Sequence, residues 1–210
     1  MKLYYFKGAC SLADHIVLEW TGVPYQTVRM SLESVKSPEY LALNPNGTVP
    51  LLIDGELTLT QNAAILCYLA EQRPGLQLLG DGSRRSRAEV MDWLSFLNSD
   101  VHVAFKPIFN PRRFLPDPDP YHATAIAATA RASVRTLFDR IDKRLAGRDW
   151  LTDQRSVADP YLFVMIRWAV RLNVGVDGLA NVLRFAERMY ADAGVQKAIR
   201  AEEDAVEMAA

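Results

Sequence analysis

Along the first third of the chain the spacing of apolar residues changes several times, and each change marks an element. Lys2 to Phe6 is a β-rich run ended by Gly8, which predicts a short buried strand. From Ser11 to Thr21 the residues Leu12, Ile16 and Leu18, with Trp20, recur at helical spacing and stop at Gly22, so a helix follows. Tyr25 to Met30 suits a second strand, and the polar stretch containing Pro38 suits a loop or short helix. Val49 to Ile53 and Leu57 to Thr60 are joined by Asp54-Gly55, a dipeptide that accepts the positive φ of a tight hairpin. Asn62 to Glu71 completes this part as a further helix, with Asn62 as its N-cap.

Arg73 to Arg87 is rich in Gly, Pro and charge and reads as a linker, and almost everything after it is helical. The chain thus divides into an α/β part (1–75), a linker (76–86) and an all-α part (87–210). Val134, Leu137, Phe138, Ile141 and Leu145 fall on one amphipathic stripe. Val157 to Leu172 is apolar on nearly every face, as the central helix of a bundle is, and Ser156 with Asp159 offers it a capping box. Between Pro107 and Pro120 proline is too dense for a helix, which predicts an irregular loop long enough for a lid or an arm toward a second subunit. No internal repeat is visible.

Composition narrows the class. Of 210 residues half are apolar and 23% charged, with 11 Gly and 11 Pro, which excludes a disordered or collagen-like chain. The 24 basic residues balance 25 acidic ones, so charge makes no case for nucleic acid or an anionic membrane as partner. Two cysteines make neither a disulfide framework nor a thiolate zinc site; no metal is expected, and the chain reads as cytoplasmic and reduced. Lys7 interrupts the opening apolar run too early for a signal-peptide core, and no apolar stretch is long enough to cross a bilayer. A soluble enzyme or binding protein remains.

Four constellations can carry chemistry. Cys10 follows a strand and opens a helix in Gly8-Ala9-Cys10-Ser11, where free N–H groups and the helix dipole favour an anion and predict a lowered thiol pKa. Ala13 stands where a dithiol motif needs its second cysteine, so the partner sulfur must come from outside. The competing reading is a small residue packed under a helix end. Asn44-Pro45-Asn46-Gly47-Thr48-Val49-Pro50 offers a cis-proline kink whose Val49 backbone can pair with an extended peptide, or else an ordinary turn. Thr60-Gln61-Asn62 places donors at a helix start, where a carboxylate binds, or simply caps it. Across the linker Ser95, Asn98, Ser99, His102 and Lys106 share one helical stripe, which suits either a solvated face or the wall of a cleft.

Taken in order, these segments closely resemble the glutathione transferase family. The strand, Gly-Ala-Cys-Ser, the Asn-Pro-x-Gly-x-Val-Pro segment, the hairpin and Leu59-Thr60-Gln61-Asn62-Ala63-Ala64-Ile65 carry the likeness. Cys10-Ser11, Trp93 and His102-x-x-Phe105 look like its bacterial beta class, and Ser156 to Phe163 is similar to the capping segment of its core helix. The resemblance runs from Met1 to about Ile199. It implies a thioredoxin-like N-terminal domain, an all-α C-terminal domain, a homodimer, and glutathione as co-substrate held at the junction.

By the same resemblance Val49 would pair its backbone with the cysteinyl unit of glutathione, with Pro50 cis, and Gln61 and Asn62 would hold the γ-glutamyl end. Cys10 would lie beside the glutathione sulfur, with Ser11 as the second choice, and His102 would face that region from the helical domain. Lys36 would meet the glycine carboxylate. The class usually has Glu-Ser or Glu-Gly where this chain has Gln61-Asn62, an Asn where it has Ser95, and a Lys where it has Val103; Asn98 or Asp100 would compensate. The implied reaction is attack of the glutathione thiolate on a small electrophile, or on a disulfide through Cys10. A dedicated disulfide reductase or peroxidase and a non-catalytic binding protein are the rivals. Cys67 and His15 read as structural, and His122 and the arginines at 84, 85, 87, 112 and 113 as solvated.

Overall fold

The β-runs of the first third pair into one mixed sheet. The computed structural model describes residues 1–115 and 119–205. Its first part runs β1 (Lys2–Tyr5), α1 (Ser11–Thr21), β2 (Gln26–Arg29), α2 (Pro38–Leu43), β3 (Leu51–Asp54), β4 (Leu57–Thr60) and α3 (Asn62–Glu71). Strand order is β2-β1-β3-β4, with β1 parallel to β2 and antiparallel to β3, and β3 antiparallel to β4. This is the thioredoxin-like arrangement. Alternation along β1 sends Leu3 and Tyr5 into the core shared with Ile16, Leu18 and Ile65, while Tyr4 joins Met30, Tyr40 and Leu51 on the other face.

Strand ends differ slightly from the pattern, for local reasons. Phe6 leaves β1 because its carbonyl accepts the Ala9 N–H in a turn, 3.1 Å. β3 starts only at Leu51, because Pro50 has no N–H to give a ladder. The N-cap of α3 is Gln61 rather than Asn62, and its side chain caps nothing. Asn62 is the first helical residue, its amide taken up elsewhere.

The helical part follows as α4 (Arg84–Phe96), one π-helical turn (Leu97–Val101), α5 (His102–Phe109), α6 (Pro120–Arg144), α7 (Ala158–Arg171), α8 (Ala180–Ala191) and α9 (Ala193–Asp204). α4 opens inside the segment read as linker, because Ser83 Oγ accepts the Ser86 N–H at 3.1 Å and caps it. Pro107 lies within α5, not at the start of a loop, and Pro111–Arg113 forms a 3-10 turn. The rest of the predicted lid or arm falls partly on 116–118, outside the described residues.

α7 is the central helix that its composition predicts: from Ala158 to Ala169 every residue except Arg167 is buried. In its first turn Asp159 ties the preceding segment to the helix, accepting from the Ser156 N–H at 2.7 Å, the Ser156 hydroxyl at 3.1 Å and the Leu151 N–H at 3.0 Å. No described helix is long and apolar enough to cross a membrane.

Gly8 is one of the residues that join the two parts. Gly8, at φ +68°, donates its N–H to Glu202 on α9 at 2.8 Å and accepts from the Trp168 indole of α7 at 2.9 Å. Helix α1 packs against α3 on one side and α7 and α9 on the other. The loop that leads into Cys10 is thereby gripped from the helical side.

Candidate active site

Between the sheet part and the helical part opens a cleft of about 310 Å³. The sheet part contributes Cys10, Thr48, Val49, Pro50, Gln61 and Asn62 to its lining. Asn98, Ser99, His102, Val103, Lys106 and Tyr161 form the opposite wall.

The loop before β3 is built to present its backbone. Tyr40 Oη and Asn44 Nδ2 both donate to the Thr48 carbonyl, each at 2.7 Å, and Asn44 Oδ1 accepts the Asn46 N–H at 3.2 Å. Gly47 has φ +57°, and a Cβ there would come within 3.0 Å of the Val35 carbonyl, so only glycine fits. The Val49-Pro50 bond is cis. Next along the cleft, Gln61 holds φ +72° and ψ +114°, a region costing a non-glycine residue of order 1–3 kcal/mol. That strain sits at the N-terminus of α3, on the cleft wall.

Cys10 lies on the floor with only 8% of its surface exposed, and its thiol points at the Val49 carbonyl, 3.9 Å away. The expectation of a lowered pKa is overturned. Burial, and then the nearby Asp14 carboxyl, push the thiol up to about 12, against the weaker opposing pull of the Ser11 and Cys10 N–H groups. Asp14 sits one helical turn on from Cys10 and is fully buried. With its nitrogen turned toward these acceptors, the Asn62 amide donates to the Cys10 carbonyl at 3.0 Å and to Asp14 Oδ2 at 2.8 Å. Asn62 thus ties the start of α1 to the start of α3.

On the helical wall, the Tyr161 hydroxyl donates to Asn98 Oδ1 at 3.2 Å and lies 2.6 Å from His102 Nδ1. With the tyrosine proton committed to Asn98, the pattern assigns the imidazole proton to Nδ1 and leaves Nε2 the lone pair. Burial and the Lys106 charge lower His102 from the usual 6.5 to about 4, so the ring is neutral at physiological pH. A neutral imidazole held by its Nδ1 is suited to accept a proton at Nε2.

Known proteins share this fold. Residues 1–71 match the family described as Glutathione S-transferase, N-terminal domain. Glutathione S-transferase GST-4.5 of Xanthomonas campestris is 47% identical over 203 residues, 96% of this chain and 98% of that protein. This chain belongs to the glutathione S-transferase family. It is an enzyme, a glutathione transferase. A solved sphingomonad glutathione S-transferase complexed with glutathione is 36% identical, with TM-score 0.84 over 98% of this chain and 100% of that one. The bacterial beta class glutathione S-transferase of Sphingomonas chungbukensis is 35% identical, with TM-score 0.84 over 96% and 98% of the two chains.

Of the residues that sequence nominated in this glutathione transferase, the cleft gathers Cys10, Val49, Pro50, Gln61, Asn62, Asn98 and His102. Four fall outside its lining. Ser11 is completely buried and its hydroxyl donates to the Phe6 carbonyl at 3.4 Å, so it faces the chain rather than the cleft. Lys36 lies exposed on the 3-10 turn Ser34–Lys36. Ser95 is exposed on α4, because the π-helical turn between it and His102 breaks the straight stripe assumed for residues 95–106. Asp100, also exposed, does not line the cleft either. Sequence reasoning missed Tyr161 and Asp14. Asp14 was marked by its i+4 spacing from Cys10, whereas nothing local ties Tyr161 to His102.

Proposed function

We propose that glutathione binds in this cleft with its sulfur beside Cys10, and that its thiolate is the nucleophile toward small electrophiles. The carrying observation is that Cys10 and His102 line one cleft from opposite halves, the first held as a thiol and the second as a neutral base. Free glutathione has a thiol pKa near that of cysteine, about 8.5. His102 Nε2 can take the thiol proton, and the Cys10 S–H can donate to the resulting thiolate, which favours that charge without a second thiolate in the cleft. Val49 offers backbone to the cysteinyl unit, and Gln61 at the start of α3 suits the γ-glutamyl carboxylate. In this reading residues 1–75 hold the tripeptide and the helical part supplies the second wall, in a cytoplasmic homodimer.

The same geometry makes thiol–disulfide exchange through Cys10 a second, slower activity. Exchange needs the Cys10 thiolate, and burial beside Asp14 disfavours it. That weighs against a dedicated reductase or peroxidase.

The test is retention of the native protein on immobilised glutathione together with turnover of 1-chloro-2,4-dinitrobenzene. Both are expected, with kcat/KM in His102→Ala reduced about a hundredfold or more, the scale of general-base loss. A native protein that passes through the resin unretained and turns nothing over sinks the reading. Intact mass before and after reduction reports whether Cys10 carries a glutathione, an adduct that Cys10→Ala must lack.

A further inference from the structure

One wall of the cleft carries a charge that the fold leaves uncompensated. Lys106 follows His102 by one helical turn on α5 and lines the same cleft. Among the described residues its ammonium has no carboxylate partner within ion-pair distance. None of the described lining residues is Asp, Glu or Arg, Cys10 is held as a thiol and His102 as a neutral ring, so Lys106 supplies the only full charge there. The chain as a whole has formal net charge −1, so a positive cleft is a local arrangement and not a reflection of composition.

Glutathione brings carboxylates of its own, but the donors that suit them, at the start of α3 and in the loop ending at Pro50, lie on the sheet side. Lys106 stands across from them on the helical side, where an acceptor would approach the sulfur. Resting on the function proposed above, we propose that Lys106 selects the second substrate, favouring electrophiles that carry a carboxylate. For an unsaturated ketone of this kind the thiolate sulfur forms a C–S bond at the β-carbon and the π electrons pass to the carbonyl oxygen. The enolate then takes a proton from water at the α-carbon, replacing the one the thiol lost, so no oxidant or reductant is consumed.

Ethacrynic acid and its methyl ester present the same electrophilic carbon with and without a negative charge. Their kcat/KM values are compared at saturating glutathione in the native protein, Lys106→Met and Lys106→Arg. The acid-to-ester ratio is expected to fall about fivefold in Lys106→Met, to recover in Lys106→Arg, and to shrink in the native protein at high salt, as a solvent-screened ion pair requires. An equal ratio in the native protein and Lys106→Met overturns the proposal and leaves the transferase reading standing. A glutathione KM that rises in Lys106→Met equally with both compounds assigns the ammonium to the tripeptide and also overturns it. A native protein that turns over neither compound strikes the transferase reading itself.

Discussion

His102 Nδ1 and the Tyr161 hydroxyl lie 2.6 Å apart, across 59 residues of sequence and two different helices. Their contact fixes the imidazole by one nitrogen and frees the other for the cleft. Burial lowers this histidine in the folded state to about 4, so on acidification the unfolded chain takes up the proton first. Its contribution to stability is therefore complete above pH 6.5 and is lost as pH falls toward 4. In an NMR titration the His102 ring protons should move with a midpoint near pH 4; a midpoint near 6.5 contradicts the buried, neutral ring.

Cys10 should behave as a sluggish thiol in the unliganded protein. With its pKa pushed up to about 12, the thiolate fraction at pH 8 is roughly a thousandfold below that of a free cysteine, and alkylation by iodoacetamide should be slow in proportion. Asp14→Asn removes the second cause of the shift and leaves the larger one, burial, in place, so alkylation of Cys10 should speed up while staying slower than that of a free cysteine. Mass spectrometry of the Cys10 peptide separates its reaction from that of Cys67. Rapid modification of Cys10 at pH 7 would show that the floor of the cleft is not sealed as described.

Glu202 closes the grip on the loop ahead of Cys10. Its carboxylate accepts the Gly8 N–H at 2.8 Å while only 2% of the residue is exposed. Glu202→Ala leaves a half-buried N–H without its partner, which costs about 1 kcal/mol. Urea unfolding should show the loss, with the 1-chloro-2,4-dinitrobenzene activity falling further than the folded fraction does. An unchanged midpoint removes Glu202 from this role.

Asp159 should tie stability to pH in the opposite sense from His102. Burial raises its carboxyl to about 6 in the folded state, so the folded chain holds the proton longer than the unfolded one. Its contribution therefore falls as pH rises from about 4 to about 6. Asp159→Asn should flatten that slope, and Asp159→Ala, which strips three donors of their acceptor, should cost about 2–4 kcal/mol by denaturation.

Much of this was legible from local pattern. The Asp54-Gly55 hairpin, the bounds of α1 and α3, and the buried character of α7 all follow from spacing and turn chemistry. Local pattern failed where a long-range contact decides. The π-helical turn Leu97–Val101 leaves no clear mark in sequence, yet it separates Ser95 from the rest of its stripe, while Asn98, Ser99, His102 and Lys106 stay together on the cleft wall. Helix-end reasoning placed Cys10 among favourable dipoles but could not weigh them against its burial or against the depth of Asp14. Asn62 was read as a cap because Asn caps helices, whereas its amide is engaged by the Cys10 carbonyl and the Asp14 carboxyl.

The double hold on Gly8 limits how far this architecture can be treated as interchangeable parts. A chimaera joined at the linker, with a foreign helical half, inherits a sound sheet but loses the indole and the carboxylate that secure its first loop, unless the donor supplies equivalents of Trp168 and Glu202. The unit that a recombination experiment must preserve is thus discontinuous: the opening dozen residues travel with the far end of the chain.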